Sequence, residues 1–140
     1  MSYYPDLSPY HYLPSTVPEG VVALNVGWLS WRRPYPKGKS PGSFVEALER
    51  LCKNNTTAKT RGLHSCRLFR GFKPSCGKVS LETDTGPITL GSSEIRVVTG
   101  KGEWLISPDL VFHYVTRHDY LPPEEFMKAV MELRLAPDSP

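Results

Sequence analysis

The chain has 140 residues, 39% of them hydrophobic and 22% charged, which fits one packed domain. No window approaches about 18 consecutive apolar residues, so a membrane span is excluded, and the opening MSYYPDLSPYHY lacks the basic and apolar regions of a secretory signal. The formal net charge of +3 conceals a division: residues 32–78 carry twelve Lys/Arg against Glu46 and Glu49, a net of +10, and the remainder carries five against twelve, a net of −7. Such a division makes either two opposed faces or an electrostatic match between the halves, and the match is the outcome expected here. Three cysteines, an odd number, make no disulfide framework and point to a reducing, cytoplasmic setting.

Residues 1–20 hold four prolines and four tyrosines (Tyr3, Tyr4, Tyr10, Tyr12) with no sustained period. They read as an extended arm laid on the domain by its rings. Val21–Val26 (VVALNV) reads as a buried strand, and SWRRPYPKGKSPG after it as loop. A helix follows. Ser43 and Glu46 match a capping box, and Phe44, Ala47, Leu48, Leu51 and Cys52 share one face at helical spacing. Short strands are expected at Leu63–Phe69, Lys78–Thr83, Pro87–Leu90, Ser93–Val98 and Glu103–Ile106, with Gly100-Lys101-Gly102 as a hairpin turn. Ser107 reads as the cap of a second helix with Pro108 at its first position. A third starts at Pro122, with Glu124 and Glu125 in its first turn and an apolar stripe of Phe126, Ala129, Val130 and Leu133. The expected fold is α+β: a small, mostly antiparallel sheet, about three helices and an extended aromatic N-terminal arm, in a single domain 1–140 (arm 1–20, core 21–135, tail 136–140).

The familiar catalytic signatures G-x-S-x-G, H-E-x-x-H, the Walker loop and G-x-G-x-x-G are absent, which weighs against an enzyme. The strongest polar constellation is Thr60-Arg61-Gly62-Leu63-His64-Ser65-Cys66. In an extended strand His64 and Cys66 point to the same side, which suits zinc or a Cys/His nucleophile pair. Cys76 would add a third ligand and a helical histidine, His118, a fourth. The plainer reading, and the preferred one, makes Cys66 a small buried apolar residue and His64 a hydrogen-bonded strand residue. On the second helix His118 shares the arc of Leu110, Val111, Tyr114 and Val115, whereas His113 is expected to face away from it and take no part in the site. Replacing His118 should therefore cost more stability than replacing His113. In the basic segment Arg32, Arg33, Lys37, Lys39, Arg70 and Lys73 have aromatic neighbours, the composition of a nucleic-acid surface.

The blocks DLSPYHYL (6–13), LNVGWL (24–29), TRGLHSC (60–66), GSSEIRV (91–97) and ISPDLVFHYVTRHDYLPPEEF (106–126) resemble a family of small uncharacterised bacterial proteins. The resemblance implies one compact domain. It also implies a Cys-x-x-Cys motif where this chain has Cys66-Arg67-Leu68-Phe69, so Phe69 stands in place of a ligand and substoichiometric zinc is expected. The resulting expectation is a non-enzymatic binding or accessory protein, immunity-like, with another protein as partner, no cofactor and no membrane. The alternatives are a zinc-binding module or Cys/His hydrolase, and a nucleic-acid binder acting through residues 32–78.

Overall fold

The computed structural model of the chain describes residues 3–54, 56, 66, 68, 76 and 78–137. After a short 3-10 turn at Pro14–Thr16 come β1 (Ala23–Asn25), α1 (Gly42–Asn54), β2 (Val79–Thr83), β3 (Gly86–Leu90), β4 (Glu94–Val98), β5 (Trp104–Pro108), α2 (Val111–Arg117) and α3 (Glu124–Met131). The fold is α+β, with three helices among the described residues and small, mostly antiparallel sheets. Among the described residues no helix is long and apolar enough to cross a membrane.

The central sheet runs β1-β5-β4, and β2-β3 form a separate hairpin. The turn expected at Gly100–Gly102 joins β4 to β5 antiparallel, with Gly102 at φ 83° and Thr99 N–H donating to the Glu103 carbonyl. β1 pairs parallel to β5, which only a long crossover allows, and α1 and the β2-β3 hairpin occupy that crossover. β5 is buried along its whole length, because both faces of the sheet are covered. Ile95, Val97 and Leu105 face the helices with Phe44, Leu48, Leu51, Val111, Tyr114, Phe126 and Val130. Trp104 and Ile106 face the other way and pack with Tyr10 and Trp28.

The arm lies along the free edge of β1. Leu7 and Tyr10 N–H donate to the Asn25 and Ala23 carbonyls at 2.6 and 2.9 Å, and Asn25 N–H donates to Ser8 at 2.8 Å. Tyr4 and Tyr12 set their rings against Trp28 at 5.4 and 5.9 Å. Beneath the arm, Tyr10 donates its hydroxyl to Glu94 (2.8 Å), and Arg96 binds both Glu94 (2.7 Å) and Thr16 (2.6 Å). On the opposite edge Leu135 bridges to Val97, and Ala136 N–H donates to the Arg96 carbonyl. Gly27, at φ 76°, sits where a Cβ would meet Val111 at 2.9 Å and Ser107 at 3.0 Å, so the strand exit needs glycine both for its conformation and for its space.

Three local expectations are corrected. Ser107 and Pro108 belong to β5, paired with Ile95 and Glu94, and α2 begins three residues beyond Pro108. Ser43 lies inside α1, its hydroxyl against Met131 Sδ at 3.5 Å, and the Pro41 carbonyl accepts the first helical N–H groups, so the capping box does not form. Leu133 is 45% exposed because α3 stops at Met131 and Leu133 turns to φ 53°. The strand expected at Leu63–Phe69 lies outside the described residues except at Cys66 and Leu68.

Asp109 links the end of β5 to the β3-β4 connection. Its carboxylate accepts the Gly91 N–H at 2.7 Å, and its own N–H donates to the Ser93 carbonyl. Burial raises its pKa to about 6, against the opposing pull of the Gly91 N–H. An acid whose folded pKa exceeds its unfolded value binds more protons folded than unfolded between the two. Stability is therefore lost as pH rises from about 4 to about 6 and is level above that. Asp109→Asn, whose amide oxygen can still accept the Gly91 N–H, is expected to reduce the stability difference between about pH 5 and pH 7 by about 1 kcal/mol in urea melts. An unchanged difference would assign that slope to other groups.

Candidate metal centre

His113 of α2, His118 just past its end, and the thiols of Cys66 and Cys76 meet at the end of α2. Cys66 Sγ lies 3.4 Å from His118 Nε2, Cys76 Sγ lies 3.4 Å from the same nitrogen, and His118 Nε2 lies 3.3 Å from His113 Nε2. All four donor atoms fall within 4.8 Å of one another. Cys66, His113 and His118 are buried and Cys76 is half-buried. The Cys76 N–H also donates to the Cys66 carbonyl at 3.3 Å, which fixes the two thiol-bearing segments side by side. All three cysteines are free thiols; Cys52 packs in the core from α1, its Sγ 3.7 Å from the Asp109 carbonyl.

His113 is a correction. It is 9% exposed and shares the cluster, where the periodicity reading set it apart from His118. That reading carried the helix through residue 118, on which five-residue spacing separates two side chains. In the structure α2 ends at Arg117, and His118 leaves the helical path at φ −122°, ψ 9°. Asp119 then turns left-handed at φ 54°, and His118 and Tyr120 N–H both donate to the Tyr114 carbonyl. This reversal brings the His118 ring edge-on to His113, with centroids 5.0 Å apart. α2 is also buried on most of its circumference, with Val111, His113, Tyr114 and Val115 all inside, so it has no single apolar arc from which to exclude His113.

Of the residues expected in the site, the structure brings together Cys66, Cys76 and His118, and His64 lies outside the described residues. The scarcity of ligands behind the expectation of substoichiometric zinc does not hold, since Cys76 and His113 complete a set of four despite Phe69. Such a Cys2His2 cluster can bind a metal ion such as zinc. Zinc bond lengths of about 2.3 Å to sulfur and about 2.0–2.1 Å to nitrogen give tetrahedral edges of about 3.6 Å for S···N and about 3.3 Å for N···N. The three observed separations of 3.4, 3.4 and 3.3 Å, half of the six edges, come within about 0.2 Å of those values.

Without a cation, ionised sulfur is disfavoured at this site. Burial pushes the Cys66 thiol up to about 11, and burial first, then the two thiols, raises the Tyr114 hydroxyl. Two thiolates beside a divalent cation with two neutral imidazoles sum to zero charge, the arrangement in which ionised sulfur is tolerated inside a protein.

The basic residues divide differently. Arg32, Arg33 and Lys37 line one open cleft with Trp31 and Tyr35, Lys39 lies exposed outside it, and Arg70 and Lys73 fall outside the described residues. Five of the twelve cations of residues 32–78 fall outside the described residues, so the expected match between basic and acidic halves is seen only in part. The three ion pairs of the described residues, Lys53–Glu49, Arg96–Glu94 and Arg134–Glu132, each stay within one half of the charge division.

No curated protein and no solved structure matches the chain. A family model does, over residues 2–131, which is nearly the whole sequence. The chain belongs to that family, described as a domain of unknown function, DUF7919.

Proposed function

We propose that this chain is a zinc-binding domain in which Cys66, Cys76, His113 and His118 hold one Zn²⁺ as a structural centre. The observation that carries the reading is the convergence of four donor atoms of two kinds within 4.8 Å. Four protein ligands complete a tetrahedron, whereas a catalytic zinc keeps a position open for water or substrate. The ion would fasten the segments bearing Cys66 and Cys76 to the end of α2. Both histidines face the cluster through Nε2, so ligation through these nitrogens would leave the ring protons on Nδ1.

A Cys/His nucleophile pair finds less support. Nucleophilic thiols sit in exposed, electropositive settings that lower their pKa, and Cys66 is buried with its pKa raised. The role supported best is a metal-stabilised binding module, in line with the accessory function expected from the missing catalytic signatures.

The test is metal content. Protein purified without chelator should carry one zinc per chain by elemental analysis, and Cys66→Ser, Cys76→Ser and His113→Ala should each lose it. Cys52→Ala, which alters a thiol outside the cluster, should keep it. A wild-type chain lacking metal after refolding with equimolar zinc would refute the reading.

A further inference from the structure

The two sulfurs of the cluster are placed for a second chemistry. Cys66 Sγ and Cys76 Sγ fall within the 4.8 Å that spans the four donor atoms, and both approach His118 Nε2 at 3.4 Å. The Cys76 N–H donates to the Cys66 carbonyl at 3.3 Å, so the two backbones are neighbours as well as the two thiols. Chains joined by such a bond run about 4.7–4.9 Å apart, inside the span of about 4.4–6.8 Å that a disulfide needs between Cα atoms. Rotation of the side chains can therefore bring the sulfurs to the bonding distance of about 2.0 Å.

The pair also differs in access. Cys66 is fully buried, whereas Cys76 is half-buried and meets solvent. A small oxidant therefore reaches Cys76 first, with Cys66 behind it as the resolving thiol, the arrangement in which a sulfenic acid is captured by its neighbour before it oxidises further. Cys52 is kept out of the exchange. It is 1% exposed in α1, with its Sγ against the Asp109 carbonyl at 3.7 Å.

We propose that Cys66 and Cys76 form a redox-modification site, at which hydrogen peroxide converts the two sulfur ligands to a Cys66–Cys76 disulfide and the metal is released. This inference rests on the zinc reading, because ligation to zinc holds both sulfurs as thiolates. Cys76 Sγ attacks one peroxide oxygen, the O–O bond breaks, and a sulfenic acid and hydroxide result. Cys66 Sγ then attacks Cys76 Sγ, the S–O bond breaks, and a second hydroxide leaves. Two protons from solvent turn the hydroxides into water. The sulfurs give up two electrons in all, and the peroxide takes them. Two imidazoles then remain, too few to hold the ion as a tetrahedral structural centre. The oxidised chain keeps the two cysteines joined to each other and loses their tie to His113 and His118.

The experiment treats the full chain, purified without chelator and first assayed for metal, with hydrogen peroxide. Zinc release is followed with a chromogenic zinc dye, and disulfides are mapped by differential alkylation and peptide mass spectrometry. One Cys66–Cys76 disulfide should form for each zinc released, with Cys52 recovered as a thiol after denaturation. A dithiol reductant with equimolar zinc should restore the metal. Zinc retained in excess peroxide overturns the inference and leaves the zinc reading standing. So does zinc lost with Cys66 and Cys76 recovered as sulfinic or sulfonic acids, or with a disulfide to Cys52 or between chains. A chain that holds no zinc at the outset, even after refolding with it, refutes the zinc reading and the inference with it.

Discussion

Removing zinc with a strong chelator is expected to lower the thermal midpoint by at least about 12 °C, the equivalent of about 4 kcal/mol for a domain of this size. That is a conservative share of the roughly 10–16 kcal/mol with which structural zinc binds small domains. Without the ion, the two thiols and two imidazoles are held together only by their mutual hydrogen bonds, with Cys66 and His118 each less than a tenth exposed. Cys66→Ser, His113→Ala and His118→Ala should each produce most of the chelator's effect, because three ligands do not close the centre. Combining any two should add little to either alone, the non-additivity of residues acting as one unit. The two histidine variants should now lose comparable stability, in place of the larger loss at His118 expected from the helical wheel. Differential scanning calorimetry with and without chelator measures all of these. A chelator-insensitive midpoint in protein shown to contain zinc would mean that the metal sits elsewhere.

Arg96→Met is expected to cost about 3–5 kcal/mol, the penalty for stranding a buried charge. Glu94 is 3% exposed, and Arg96 supplies its countercharge at 2.7 Å. The same guanidinium holds the Thr16 hydroxyl at 2.6 Å and the Thr16 carbonyl at 3.0 Å, so its loss also loosens the arm. Burial already raises the Glu94 pKa, with Tyr10 and Arg96 acting in the opposite direction. Without Arg96 the carboxyl rises further, and a raised acid loses stability as pH increases through its titration. The variant should therefore lie nearer wild type in mild acid than at neutral pH. The double variant Glu94→Gln, Arg96→Met should recover part of the loss, since no charge is then left unpaired. Urea melts at two pH values decide the matter, and a pH-independent loss unrelieved by the second change would show that packing of the arginine stem dominates.

Elements governed by local pattern were legible. The α1 stripe puts Phe44, Leu48, Leu51 and Cys52 inside, and the glycine turn at 100–102 closes a hairpin because Gly102 takes a positive φ that few other residues tolerate. Pairing between distant segments overrode local signals elsewhere. Ser107-Pro108-Asp109 has the composition of a helix start, yet the strand ladder to Glu94 and Ile95 claims its first two residues. Three of the four members of the Cys/His cluster were named from the sequence, as an alternative to the preferred reading of Cys66 as a buried apolar residue, because cysteine and histidine announce their chemistry. The fourth, His113, depended on where a helix stops, and that was set by Asp119 adopting a left-handed conformation unusual for a residue other than glycine. The cleft was visible as composition, but which groups surround its cations is a matter of three-dimensional neighbours.

The arm along β1 and the bridge of Leu135 to β4 bear on how this molecule meets its own copies. A three-stranded sheet has two outer strands whose unpaired N–H and C=O groups invite another chain to add on. Here the first outer strand is occupied by Leu7, Ser8 and Tyr10, and the second by Leu135 and Ala136. The covering segment is itself a poor template, since Pro5, Pro9, Pro14 and Pro18 recur through it and each lacks the N–H that a further strand would need. The prolines that recur through the arm thus end the sheet without starting a new edge.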